Sequence, residues 1–190
     1  DSHEIANVLG IDGIDWMVED GKKAPFDFYY AVPSCVPATS FESSGAELTS
    51  ADIEDLLKRD EMVALGEMMD VPGVLSEDEE ALRKIETAHK LGKPIDGHSP
   101  LLAGEELEKY ISYSISTDHE CTSFEEAIEK SRLGMSIMVR EGSSARAMDA
   151  LLNYDDRLNY LIEEEMAGRA VVETIDDAMA VSPFEILVCD

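Results

Sequence analysis

The chain has 190 residues, 44% of them hydrophobic, and carries 42 acidic against 15 basic side chains for a formal charge of -27. That is the composition of a folded chain long enough to bury one sizeable core, and its charge makes nucleic-acid phosphates and anionic membranes poor partners. The acid is spread through every segment instead of forming a tail, the pattern of a solvated outer surface, as in an organism with a salty cytoplasm. Cys35, Cys121 and Cys189 lie far apart with no CxxC pair, which argues against a disulfide framework and against a zinc site of four cysteines. No run approaches the roughly 18 apolar residues of a membrane span, and no signal-peptide pattern opens the sequence. A reducing cytoplasm is the expected compartment.

Taken in chain order, Asp1-Ser-His3-Glu4 reads as the end of a strand. Residues 26–32 form the first strand-like run, and residues 51–59 have helical spacing. A strand over 62–65 precedes a helix over 77–91 with Leu82, Ile85 and Ala88 or His89 on one face. The alternation continues with a strand at 94–96, a helix at 105–111, a strand at 113–116, a helix at 125–133, a strand at 135–139 and a helix at 145–152. Residues 153–182 carry two helix-like stretches, 156–166 and 169–180, where earlier units carry one; a further covering helix or a lid would both fit. A last strand at 184–188 closes the series. Ser76-Glu-Asp-Glu79 and Ser123-Phe-Glu-Glu126 have the spacing of capping boxes, and Gly92, Gly104 and Gly134 fall at element ends, where positive φ is needed. Repeated β-then-α units of about 20 to 30 residues predict an α/β fold with a parallel sheet covered by helices.

Three of the apolar runs end in groups that bind metals. They finish at Glu67, at His98 in Ile95-Asp-Gly-His98, and at His119 in Ser116-Thr-Asp-His119. Residues just past the ends of parallel strands converge on one face of a barrel or doubly wound sheet, where ligands sit. Two imidazoles and a carboxylate there suit Zn, Mn or Fe. A single histidine at a strand end is more often a hydrogen-bonded structural residue; three such groups in register on successive strands favour a metal. His89 lies among Lys90 and Glu86 and reads as surface, and the methionines at 68, 69, 135 and 138 read as core filling. The acid-rich stretch 77–80 reads as a solvated helix start, with weak calcium binding as the other reading.

Longer stretches carry a resemblance. Asp1-Ser-His-Glu-Ile-Ala-Asn-Val-Leu-Gly10, Pro33-Ser-Cys-Val-Pro-Ala-Thr39, Leu65-Gly-Glu-Met-Met69, Ile95-Asp-Gly-His98, Ser116-Thr-Asp-His-Glu-Cys121 and Met138-Val-Arg-Glu-Gly-Ser143 resemble, in order and over almost the whole chain, the prokaryotic adenine deaminases of the amidohydrolase superfamily. The resemblance implies a (β/α)8 TIM barrel with a binuclear centre of Mn, Fe or Zn that hydrolyses adenine to hypoxanthine and ammonia. It runs from the end of barrel strand 2 to the end of strand 8, so residues 1–190 are expected to be a single, partial barrel domain. Strand 1, with its His-x-His pair, and the small β domain lie outside it. Carried over, Glu67 matches the metal-bridging carboxylate of strand 4, and His98 and His119 match the ligands of the second metal on strands 5 and 6. Asp190 matches the first aspartate of the Thr-Asp-Asp turn after strand 8, a metal ligand and proton shuttle, with Cys189 in place of the threonine. His3 and Glu4 match an Asp-Pro-His-Glu turn at the site mouth, with Ser2 where proline is usual.

The chemistry accounts for these residue types. Deaminating a stable aromatic ring requires an activated water and protonation of a ring nitrogen as the carbon becomes tetrahedral. Asp190 is the first candidate for the proton shuttle and Glu120 the second, although Glu120 reads equally well as a charge at a helix N-terminus. Arg140, Glu141 and Ser143 are candidates to hold the purine nitrogens, with a plain Arg140–Glu141 ion pair as the other reading. An amidohydrolase of another purine or cyclic amide, and a non-catalytic acidic binding module, remain as alternatives. The expected partner is a small molecule, adenine, in a homo-oligomer. Without strand 1 the stretch alone is expected to turn over no adenine and to associate through open sheet edges.

Overall fold

The computed structural model describes residues 1–143, 145–152 and 160. They form two compact units, one of Asp1–His98 with Glu105–Ser116, the other of Ser99–Gly104 with the described residues from Thr117 onward.

In the first unit, helix α1 (His3–Leu9) meets α2 (Ile11–Gly21) at Gly10, whose φ of 61° lies in the left-handed region. The two helices approach so closely that a Cβ on Gly13 would stand 2.7 Å from the Ile5 carbonyl oxygen. Strand β1 (Tyr30–Pro33) leads to α3 (Ser50–Leu57), β2 (Met62–Met68), α4 (Val71–Ser76), α5 (Glu79–Lys90), β3 (Ile95–Gly97) and α6 (Gly104–Ser112). The sheet order is β1-β2-β3, all parallel, with Val32 opposite Leu65 and Leu65 opposite Ile95, and Ile115 adds a parallel bridge to Ile95. Val32, Leu65, Met68 and Ile95 are buried against Ile53, Leu56 and Leu57 of α3 and Ile85 and Ala88 of α5. Each of these side chains except Ala88 contributes about 1.5–3 kcal/mol on leaving water.

In the second unit, β4 (Thr117–Asp118) pairs in parallel with β5 (Ser136–Ile137), joined by α7 (Phe124–Arg132), and α8 (Met148–Leu151) follows. Ile137, Val139 and Ala127 are fully buried. The expected α/β architecture with parallel strands is therefore present in both units.

Several boundaries differ from the sequence-based expectation. The first strand starts at Tyr30, and Phe26, Phe28 and Tyr29 before it are exposed; the Phe28 ring stacks on Tyr30 at 6.1 Å and meets Phe26 tilted at 4.8 Å. His3 opens a helix where a strand end was expected. Ser76 is not a cap but the last residue of α4, and the start of α5 is held by Asp78, whose carboxylate accepts from the Glu80 and Ala81 amides. Ser123 does cap α7, accepting from the Glu126 amide, yet the Glu126 carboxylate reaches back to Thr122 and not to Ser123. Thr49 and Asp52 make the reciprocal capping box, at the start of α3. Residues 153–182, Tyr160 apart, and the strand expected at 184–188 lie outside the described residues. Among the described residues no helix is long and apolar enough to cross a membrane.

Candidate functional site

In the first unit the carboxyl ends of β2 and β3 lie side by side, Met68 opposite Gly97, which brings Glu67 and His98 together. His98 Nδ1 stands 3.1 Å from Glu67 Oε2, with both side chains partly open to solvent at 27% and 18%. The backbone on either side is fixed from within. The Tyr110 hydroxyl, fully buried on α6, donates to the Met68 carbonyl at 2.8 Å and accepts from the His98 amide at 3.1 Å. Ser34, directly after β1, donates its hydroxyl to the Glu67 carbonyl at 2.5 Å, and the Ser34 carbonyl accepts from the buried Lys84 ammonium of α5 at 2.9 Å. Cys35, beside it, is buried, which pushes its thiol pKa up. His3 Nδ1 is 2.6 Å from Asp1 Oδ1, and donor atoms of Asp1, His3 and Glu67 all lie within 4.8 Å of one another. His3, to which the sequence assigned no firm role, thus sits at Glu67 together with Asp1, which sequence reasoning missed.

In the second unit His119 and Glu120 follow β4 directly, and Arg140 stands three residues past β5. His119 Nε2 is 3.5 Å from Glu120 Oε1, and the Arg140 guanidinium pairs with the same carboxylate oxygen. These three, with Cys121, Thr122, Ala145, Arg146 and Ala147, line a cavity of about 260 Å³. Glu141 is exposed, and its carboxylate accepts from the Met148 amide at 3.3 Å; Ser143 is exposed as well, and neither lines the cavity. Arg146, Thr122 and Cys121 do, and no motif had marked Arg146. Asp190 lies outside the described residues.

Behind His119 sits a buried charge network. Asp118 and Lys130 have fully buried side chains 2.9 Å apart, and Lys130 also donates to Glu126 at 2.7 Å and to the Ser99 carbonyl at 2.6 Å. Burial is the largest single influence and opposes both charges, but the partner ion and the surrounding hydrogen bonds together outweigh it: Asp118 is held below the ordinary carboxylate range and Lys130 above the ordinary amine value. The Cys121 thiol is pushed well up, by burial first and then by the Asp118 carboxylate. Asp118, Cys121 and Glu126 offer donor atoms close enough for a cation, and the two carboxylates already hold the Lys130 ammonium.

The donor types at the strand ends, imidazole nitrogen and carboxylate oxygen on partly open side chains, fit a divalent ion of the Zn, Mn or Fe kind. The amidohydrolase family matches residues 1–177, and the chain belongs to that family. Membership implies a TIM-barrel type of fold, with which the parallel strands agree, and a family that is generally metal-dependent. Among curated proteins, the adenine deaminase of Methanothermobacter thermautotrophicus is 50% identical over 95% of this chain and 36% of its own length. The adenine deaminase of Methanosarcina mazei is 56% identical over 80% of this chain and 27% of its own, and that of Salinibacter ruber is 50% identical over 80% and 28%. The chain therefore spans about a third or less of the length of the curated relatives it matches.

Proposed function

We propose that the protein carrying this chain hydrolyses adenine to hypoxanthine and ammonia at a binuclear metal centre. The observation that supports this most directly is the Glu67–His98 pair at adjacent strand ends, in a chain about half identical to proteins named adenine deaminase. In this reading Glu67 would be the carboxylate shared by the two metals, His98 and His119 would be ligands of the second, and Asp190 would be a ligand of the first. When bound, the metals supply Lewis acidity and an attacking water at neutral pH.

The chain's own residues supply the rest. Arg140 fixes the Glu120 carboxylate at the cavity wall beside His119, where it can take or return a proton within hydrogen-bond reach of a bound base. Asp190 would be the group that carries a proton from the water toward the ring. Arg140 offers further N–H donors to ring nitrogens, and such donors separate adenine from a base lacking the matching acceptor. Glu141 and Ser143, exposed just beyond Arg140 in the chain, would contribute further contacts to the purine.

The test uses the intact enzyme. Ammonia release from adenine should appear with Mn, Fe or Zn and exceed that from guanine and cytosine. After dialysis Glu67→Gln should lose both metals, and His119→Ala mainly one. Equal retention of both metals in the two variants would sink the ligand assignment, and preference for another base would sink the substrate.

A further inference from the structure

We infer that Asp118 and Lys130 are positioning residues for His119 and Glu120: a buried ion pair that sets the path of the loop carrying them. This rests on the metal and proton-transfer roles proposed for those two side chains. The geometry divides between the two carboxylate oxygens. Oδ1 of Asp118 accepts from the Ser99 amide at 2.8 Å and from the Ser99 hydroxyl at 3.1 Å. Oδ2 accepts from the Glu120 amide at 3.2 Å, from the Cys121 thiol at 3.2 Å and from Lys130 at 2.9 Å. One oxygen therefore holds the Ser99 segment and the other holds the turn that follows His119. Lys130 ties the two sides together, since its ammonium also takes the Ser99 carbonyl and the Glu126 carboxylate, whose other oxygen accepts from the Thr122 amide at 3.1 Å. Residues 120–122 are thus pinned at three points, two of them on the fully buried Asp118 carboxylate and the third on Glu126, which the buried Lys130 holds. A buried ion pair is a poor way to gain stability, because well-packed apolar residues of the same volume do as well or better. What it offers is a fixed geometry, and here the fixed atoms are backbone amides next to a proposed metal ligand and a proposed proton carrier.

Asp118→Asn separates the two sides, since its remaining oxygen can keep the Ser99 contacts while the new NH2 group presents a donor to Glu120, Cys121 and Lys130. In the metal-free intact enzyme the amides of Glu120 and Cys121 should exchange about 10-fold faster or more, while those of β5 stay protected. Zinc affinity, titrated as the free ion, should fall about 10- to 100-fold. Adenine turnover should fall by a similar factor, with the KM for adenine moving less than about threefold. If Asp118→Asn does not fold, the pair Asp118→Asn/Lys130→Met removes both charges together and is read the same way. A folded variant whose exchange at 119–122 and zinc affinity stay within about twofold of the parent would overturn the inference, whatever its melting temperature. A parent enzyme that releases no ammonia from adenine would remove the substrate reading alone, because the exchange and zinc arms need no substrate.

Discussion

Tyr110→Phe isolates what holds Glu67 and His98 in register. The phenol ring is fully buried on α6 and its hydroxyl bridges the Met68 carbonyl and the His98 amide. Phenylalanine keeps the ring, so no cavity opens, and only the hydroxyl is lost. Two buried backbone groups are then each deprived of this partner, at about 1–3 kcal/mol apiece. The expected loss is about 2–6 kcal/mol, read as a lower urea midpoint at unchanged slope. Because those groups sit one residue from Glu67 and at His98 itself, divalent-metal affinity should drop in the same variant. Tyr29→Phe is the control, since Tyr29 is 75% exposed and should change stability by less than about 0.5 kcal/mol. A Tyr110→Phe protein as stable as the control would show that the bridge does not hold the strand ends together, and the argument from buried register would fall.

Three other outcomes can be checked separately. Gly13→Ala should destabilise by about 1–3 kcal/mol, because its Cβ would press on the Ile5 carbonyl and backbone must move; a melting temperature equal to the parent's would contradict the close approach of α1 and α2. Thr49→Ala should cost about 1 kcal/mol by removing the cap of α3. The Thr49 hydroxyl, then its amide, hold Asp52 below the ordinary carboxylate value. That contribution is present above the unfolded pKa of about 4 and is lost as pH falls through the lower folded value. The parent should therefore lose its advantage over Thr49→Ala on acidification, and a difference constant from pH 7 to pH 2 would refute the coupling. Cys35 and Cys121 are both buried, so mass spectrometry should find neither carbamidomethylated in the native protein at pH 8 and both modified in urea; native labelling would contradict their burial.

The sequence made the strand ends legible because each is a short apolar run stopped by a residue of different chemistry: Leu65 before Glu67, Ile95 before His98, Ile115 before His119. The α5 face was legible too, through Ile85 and Ala88. It misled at α1 and α2, where Gly10 and Gly13 interrupt the helical period; their reason is tertiary, a sharp turn and a close helix approach, which periodicity does not record. It also missed the buried lysines. A lysine on a charged helix reads as solvated, yet Lys84 falls three residues after Ala81 and beside Ile85, and Lys130 three after Ala127. A cation on the apolar stripe was the available signal. Arg146 had none, because its place in the cavity wall is set by loop backbone.

Lys84 and Lys130 share a design whose consequence is evolutionary. Each rises from a helix and grips a carbonyl, of Ser34 or of Ser99, from the interior. Loops tethered from behind keep their course when side chains on the open side are exchanged. Thr122, whose amide is held by the Glu126 carboxylate that Lys130 grips, can therefore vary while the anchored backbone stays put, and a library aimed at new substrates is best begun at that position, with the two lysines left untouched.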